Sequence, residues 1–314
     1  MKKIFLATLL LLAGCFRVGN ELEPELNYAV QDRYLKSLPS PFPPLSLQEA
    51  SQDPSQDWKR EDRVGLGFAH ELDLYQALTA FKRASFLIPP SQTERRLELD
   101  YDILLCYYYG RKYPETIYTF ENTPLRFTTP TFTPHQDLFV ILYDSYLNLK
   151  EEDKASQILQ YLHTSYPTVG QKLSLSKLLL AGDIPALQLE APSHPDIQNL
   201  LNDYYSQKKS TTTAQLLNTF IPGSGYLYLG QTQSAITAFL LNGLFIWASC
   251  YFFQHGNTAA GIIFTSLEAG WYFGGIYGAG QEAKFYNERL YERLATPMMN
   301  EHRYFPILML KYGF

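Results

Sequence analysis

The 314-residue sequence is poor in the residues that most often carry chemistry: three cysteines, at 15, 106 and 250, and six histidines, at 70, 135, 163, 194, 255 and 302. Three thiols are too few for a disulfide framework. No histidine falls in a His-Glu-x-x-His run or at metal-ligand spacing from a cysteine, so no metal or cofactor is expected. A Gly-x-Ser-x-Gly elbow is missing, and so is the Lys-Ser/Thr that closes a phosphate-binding loop. These absences set the expectation that the chain is not an enzyme. Charged residues make up 18% and the net charge is −5. Without a basic field, nucleic acid is not expected as a partner. Aromatic residues are plentiful, with 24 Tyr and 20 Phe. That content suits packed helices or a boundary between water and an apolar phase, and disfavours disorder. Cys106 and Cys250 lie in apolar surroundings and read as buried free thiols. Asp100 and Asp102, beside a helical run, read as a solvated face.

Lys2 and Lys3 precede an apolar run, Ile4 to Leu12, that is too short to span a bilayer. A basic start, a short apolar core and small residues make residues 1–14 an export signal. Leu12-Ala13-Gly14-Cys15 resembles the lipobox of bacterial lipoproteins. The resemblance implies cleavage before Cys15, lipid (diacylglycerol and palmitate) on that cysteine, and a place in the bacterial cell envelope. It does not say which membrane. Residues 15–57 then read as a tether, extended from Leu38 to Pro44 by Pro39, Pro41, Pro43 and Pro44.

Residues 58–206 read as a helical repeat domain, with an internal repeat from Glu61 to Pro167 and one or two further helices over 171–206 as a cap. Ala77, Thr116 and Ala155 are 39 apart, and Phe81, Phe120 and Leu159 share that period. Phe68, Tyr107 and Tyr146 recur upstream of them, and Pro89 and Pro167 close the first and third copies. A small residue on the second helix of a pair admits the first helix closely, and the large residue one turn on fills the groove. With Gly65, Phe68, Ala77, Phe81, Ala84 and Pro89 at the signature positions, the segment resembles the tetratricopeptide repeat. The middle copy departs, with Thr116 at the small position and Pro114 where its second helix begins. Thr123–His135 reads as the loop before the third copy.

Residues 214–294 change character. Pro222, Gly223, Gly225, Tyr228 and Gly230 resemble the P-G-x-G-x-x-Y-x-G element that opens small two-helix membrane domains in bacterial proteins. That resemblance implies a short helix and glycine turn at the membrane interface. Ala235 to Phe253 is uncharged, and as a helix reaches about 28 Å, near one hydrocarbon thickness. A turn at 254–257 leads to a second mostly apolar stretch, 258–280, whose one charge is Glu268. The two make a hydrophobic helical hairpin. Asn242 and Glu268 are its polar residues, read as a hydrogen-bonded pair or as a proton-linked site. Gly270, Gly274 and Gly278 bare one helix face for close contact. An even number of spans would leave Lys284, Arg289 and Arg293 on the lipid-anchor side, against the positive-inside tendency, so full crossing stays open. An amphipathic helix follows, with Phe285, Leu290, Tyr291 and Leu294 on one side. Residues 295–314 form a tail whose alternation at Leu308, Leu310, Tyr312 and Phe314 suits an added strand or a packed end.

The fold class expected is all-α: a tetratricopeptide-like helical repeat solenoid followed by a hydrophobic helical hairpin. The function expected is a membrane-anchored envelope scaffold. It binds membrane lipid and an unidentified envelope protein or peptide, with Tyr107, Tyr108, Tyr109, Tyr143 and Tyr146 as candidate face residues. The alternative is an oligomeric membrane component for small-solute or proton-linked transport through Glu268 and Asn242.

Overall fold

The computed structural model describes residues 18–19, 21–26, 32–44 and 56–314. The expected export signal and Cys15 lie outside the described residues. Among these the protein is all-helical, without a strand. It divides into two units: Asn27–Lys177 with Met299–Phe314, and Met1–Leu26 with Leu178–Met298.

The first of these units contains α1 (Asp32–Lys36), α2 (Asp57–His70), α3 (Leu74–Leu87), α4 (Thr93–Tyr109), α5 (Tyr113–Asn122), α6 (His135–Asn148) and α7 (Glu152–Ser165). From α2 to α7, each helix packs on the next in the chain. The second helices of the three pairs start at residues 74, 113 and 152, which reproduces the 39-residue period in the backbone. The turns repeat it as well. Leu72, Arg111 and Lys150 are all left-handed, at φ 63°, 55° and 61°. In each turn the N–H one residue on reaches back to the repeating aromatic residue: Asp73 to Phe68, Lys112 to Tyr107 and Glu151 to Tyr146, at 2.9–3.0 Å. This is the six-to-one closure that caps the carbonyls of a helix end.

The residues of the expected repeat differ in burial. Ala77, Phe81, Ala84, Thr116, Ala155 and Tyr146 are buried, while Tyr107, Phe120, Leu159, Phe68 and Pro89 are half-buried and Pro167 is exposed. Gly65 is required by space: a Cβ there would lie 2.6 Å from the Phe81 ring. Pro114 sits in the first turn of α5, where its missing N–H removes no helix bond. Asp73 starts α3 by accepting a hydrogen bond from the Gln76 N–H at 3.2 Å.

Two expectations are made specific here and a third is corrected. Part of the segment read as a tether, residues 32–44, packs on the helices: the Phe42 ring lies 5.9 Å from both Tyr101 and Phe132, and the Tyr34 hydroxyl donates to the Leu308 carbonyl at 3.0 Å. Its aromatic residues find partners that a proline count does not reveal. Of the two readings of the tail, an added strand or a packed end, the described residues show the packed end. It forms a 3₁₀ turn, Pro306–Met309, and then an extended end held by Asp137, whose Oδ2 accepts from the Lys311 and Tyr312 N–H groups at 2.7 and 2.9 Å. Phe314 stacks on Phe81 at 6.2 Å. Finally, Asp100 and Asp102 are buried, not solvated. So much of α4 is enclosed by α3, α5 and the 3₁₀ turn Pro124–Phe127 that no face remains for them outside.

The other unit contains α9 (Ile184–Glu190), α10 (Pro195–Gln207), α11 (Thr211–Phe220), α12 (Ser224–Tyr228), α13 (Thr232–Gln254) and α14 (Thr258–Glu301). α8 (Pro167–Ala181) leads into it. The described residues 18–26 also pack in this unit: Val18 and Leu22 are buried, and Glu23 pairs with Lys284 at 3.0 Å. Beyond residue 280, α14 is amphipathic as expected, but its buried stripe is Ala283, Asn287, Leu290, Tyr291 and Ala295, with Phe285 exposed. Tyr291 anchors it by donating to the Leu179 carbonyl at 2.8 Å.

Candidate functional site

The glycine element lies where α11, α12, α13 and α14 meet. Ser210 starts α11 by accepting from the Thr213 N–H at 3.1 Å. At its other end the buried Asn218 Oδ1 accepts the Gly223 N–H at 2.8 Å, and Ser224 Oγ donates to the Leu217 carbonyl at 2.6 Å. Gly223 is doubly specified. Its φ is +91°, and a side chain there would run into the Ala235 carbonyl of α13. Gly225 is specified by space: a Cβ would strike the Ala214 carbonyl and lie 2.9 Å from the Ala279 methyl of α14. Gly230, at φ +81°, ends α12 in an open position. Tyr228 accepts from the Ser210 N–H at 3.2 Å, under the Lys209 ammonium 4.8 Å from its ring. Ala214, Leu229, Ala279 and Ala283 form the small core beneath, with Pro222 half-buried at the edge. The element is thus a knot of small residues that clamps the base of the hairpin.

α13 and α14 are joined by residues 255–257, with Gly256 left-handed at φ +77°. They pack near this turn through Phe252 on Phe264 at 5.2 Å and through Gly261, above which the Phe253 ring lies. Toward the base they part around a groove of about 770 Å³, lined by Tyr226, Ala238, Phe245, Leu267, Gly270 and Trp271 among others.

α13 is the one described helix long and apolar enough to cross a membrane. Two apolar spans were expected; the first stretch of α14 is diluted by glycine, serine, threonine and tyrosine and does not qualify. Only 17% of the most apolar window of α13 is buried, so it is not the enclosed core helix of this unit. Leu240 and Trp247 are 62% and 63% exposed. Phe220, Leu227, Ile263 and Leu267 are exposed as well, so large apolar side chains reach solvent along α13 and its neighbours.

The expected polar pair is not formed. Asn242 Nδ2 turns back on its own helix and donates to the Ala238 carbonyl at 2.6 Å, while its Oδ1 and the Glu268 Oε2 are buried without hydrogen-bond partners. With the amide N–H spent, an acceptor faces the interior, and an ionised carboxylate is also acceptor-only. The glycine stripe is split. Gly278 lies under the Tyr226 hydroxyl, whereas Gly270 and Gly274 meet nothing within 4 Å and line the open groove. Of the two thiols, Cys106 is buried but Cys250, on α13, is exposed. The tyrosines expected to form a binding face are mostly core: Tyr108, Tyr143 and Tyr146 are buried, and Tyr107 and Tyr109 are half-buried.

Among the described residues no group of three or more His, Cys, Asp and Glu side chains is arranged to hold a metal ion. No protein-family description, no curated protein and no solved structure matches the chain.

Proposed function

We propose that this protein is a non-catalytic scaffold of the bacterial cell envelope. Lipid on Cys15 and the α13–α14 hairpin hold it at a membrane, and the paired helices α2–α7 form a tetratricopeptide-like solenoid that presents a partner protein or peptide to that membrane. The observation that carries the reading is the exposed apolar surface of α13, which in water would be a liability and in hydrocarbon is ordinary. The 39-residue recurrence of helix starts and left-handed turns supports the repeat part. Purification from detergent-solubilised envelopes tests it: a defined envelope partner should co-migrate in stoichiometric amount, and solitary migration contradicts it.

A second reading has one observation in its favour. The two orphaned buried oxygens, on Asn242 and Glu268, suit a proton-linked transport element assembled from several copies. Glu268→Gln separates the two. The scaffold keeps its partner and its physiological role; a transport element loses its activity.

A further inference from the structure

Outside the hairpin, the helical unit containing α2 and α4 holds a second concavity of about 350 Å³. Its walls are apolar, from Leu66, Phe42, Phe314 and the prolines 39, 43 and 44, and its floor is acidic, from Asp62, Glu98 and Asp102. Two basic side chains line it, His70 and Arg95, and the Arg95 guanidinium is already engaged, donating to Glu98 Oε2 at 2.6 Å and to the Pro43 carbonyl at 3.1 Å. Among the described residues neither Asp62 nor Asp102 enters an ion pair. Asp102 is 4% exposed, and its Oδ1 has no hydrogen-bond partner.

A buried carboxylate oxygen without a donor costs free energy that a structure seldom leaves uncompensated. Burial pushes Asp62 up to about 6, with Glu98 adding to the rise, and pushes Asp102 well above the usual range. A cation with N–H donors would satisfy the Asp102 oxygen. A bare metal ion is a poor substitute, because these carboxylates do not form a metal-holding group. A cation that reaches several separated carboxylates while covering phenyl and proline surface must be larger, with donors at one end and hydrocarbon behind. The volume is at the low end of the range for small-molecule sites.

We propose that this cavity binds an organic ammonium group on an apolar stem, its N–H donors on Asp102 and Asp62 and its stem against Phe42, Leu66 and Phe314. The source is either a free amine or a lysine side chain of a partner. This assignment does not depend on membrane attachment.

Calorimetric titration of the full chain in detergent micelles tests it, with pentylammonium as probe and pentanol and pentanoate as controls of equal length. Pentylammonium should saturate one site per chain and bind at least about tenfold more tightly than either control. Asp102→Asn should weaken it by about tenfold or more, and Asp153→Asn, on the exposed face of α7, should leave it unchanged. If Asp102→Asn fails to fold by circular dichroism, Asp62→Asn takes its place with the same expectation. Tighter binding of a blocked lysine peptide than of pentylammonium assigns the site to a partner side chain; the reverse order assigns it to a free amine. Absence of saturable binding by both amines, equal binding of pentanol, or unchanged affinity in a folded Asp102→Asn protein overturns the proposal.

Discussion

At the scale of single residues, Gly223 and Gly230 separate two reasons for a glycine. Gly223 combines a left-handed backbone with the Ala235 carbonyl where a side chain would go; Gly230 has the backbone alone. Gly230→Ala should cost about 1–2 kcal/mol. Gly223→Ala should cost more, about 2–4 kcal/mol, because overpacking adds to strain. Urea unfolding in detergent measures both, and equal losses would contradict the packing described for the knot. The buried acids make a second prediction. Burial raises Asp62, Asp100, Asp137 and Asp144 to about 6 each. Arg96 beside Asp100, the Lys311 and Tyr312 N–H groups on Asp137, and Tyr108 and Asn148 on Asp144 only partly oppose the rise. In an unfolded chain these groups titrate near 3.9. Between the two values the folded protein binds more protons, so its stability falls as pH rises from about 4 to about 6, and Asp102, raised further by burial, continues the fall above that. Each unit of raised pKa is worth about 1.4 kcal/mol. Denaturant midpoints should be higher at pH 4.5 than at pH 7, and Asp62→Asn should flatten the slope; a rising profile over that window would refute the assignment.

At the scale of elements, α13 is the one described helix long and apolar enough to cross a membrane, and most of its apolar window is not buried. Leu240 and Trp247 project outward, so changing both to Asp should spare the packing of this unit while removing resistance to alkaline carbonate extraction from membranes. Extraction unchanged from wild type would mean that α13 contributes nothing to attachment. Much of the element structure was legible in the sequence, because the 39-residue spacing of Ala77, Thr116 and Ala155 reflects a real recurrence of helix pairs. The left-handed turns between them were not legible: Leu72, Arg111 and Lys150 carry no glycine signature, and the hydrogen bonds that hold them involve only backbone. The placement of Phe42 and Phe314 was hidden for another reason. Phe42, in a proline-rich segment, and Phe314, in an alternating tail, look like a tether and a strand until their partners Tyr101 and Phe81, distant in sequence, are known. At the hairpin, the sequence identified Asn242 and Glu268 as the polar pair but could not show that the Asn242 amide is consumed by Ala238. Asp102 was misread because a carboxylate on a helix is usually solvated, and only tertiary packing encloses it.

At the scale of the whole chain, the proposed function is a membrane-held scaffold that combines lipid on Cys15 with a paired-helix body and an apolar hairpin. The account rests on that proposal. Its central claim is attachment to a bacterial membrane through lipid on Cys15 as well as through α13. Metabolic labelling with palmitate, comparing wild type with Cys15→Ser and followed by membrane fractionation, tests it most directly. The account predicts label on the wild-type protein in the membrane fraction, loss of the label in Cys15→Ser, and retention of much of that variant on membranes through the hairpin. Unlabelled wild-type protein recovered in the soluble fraction would contradict it.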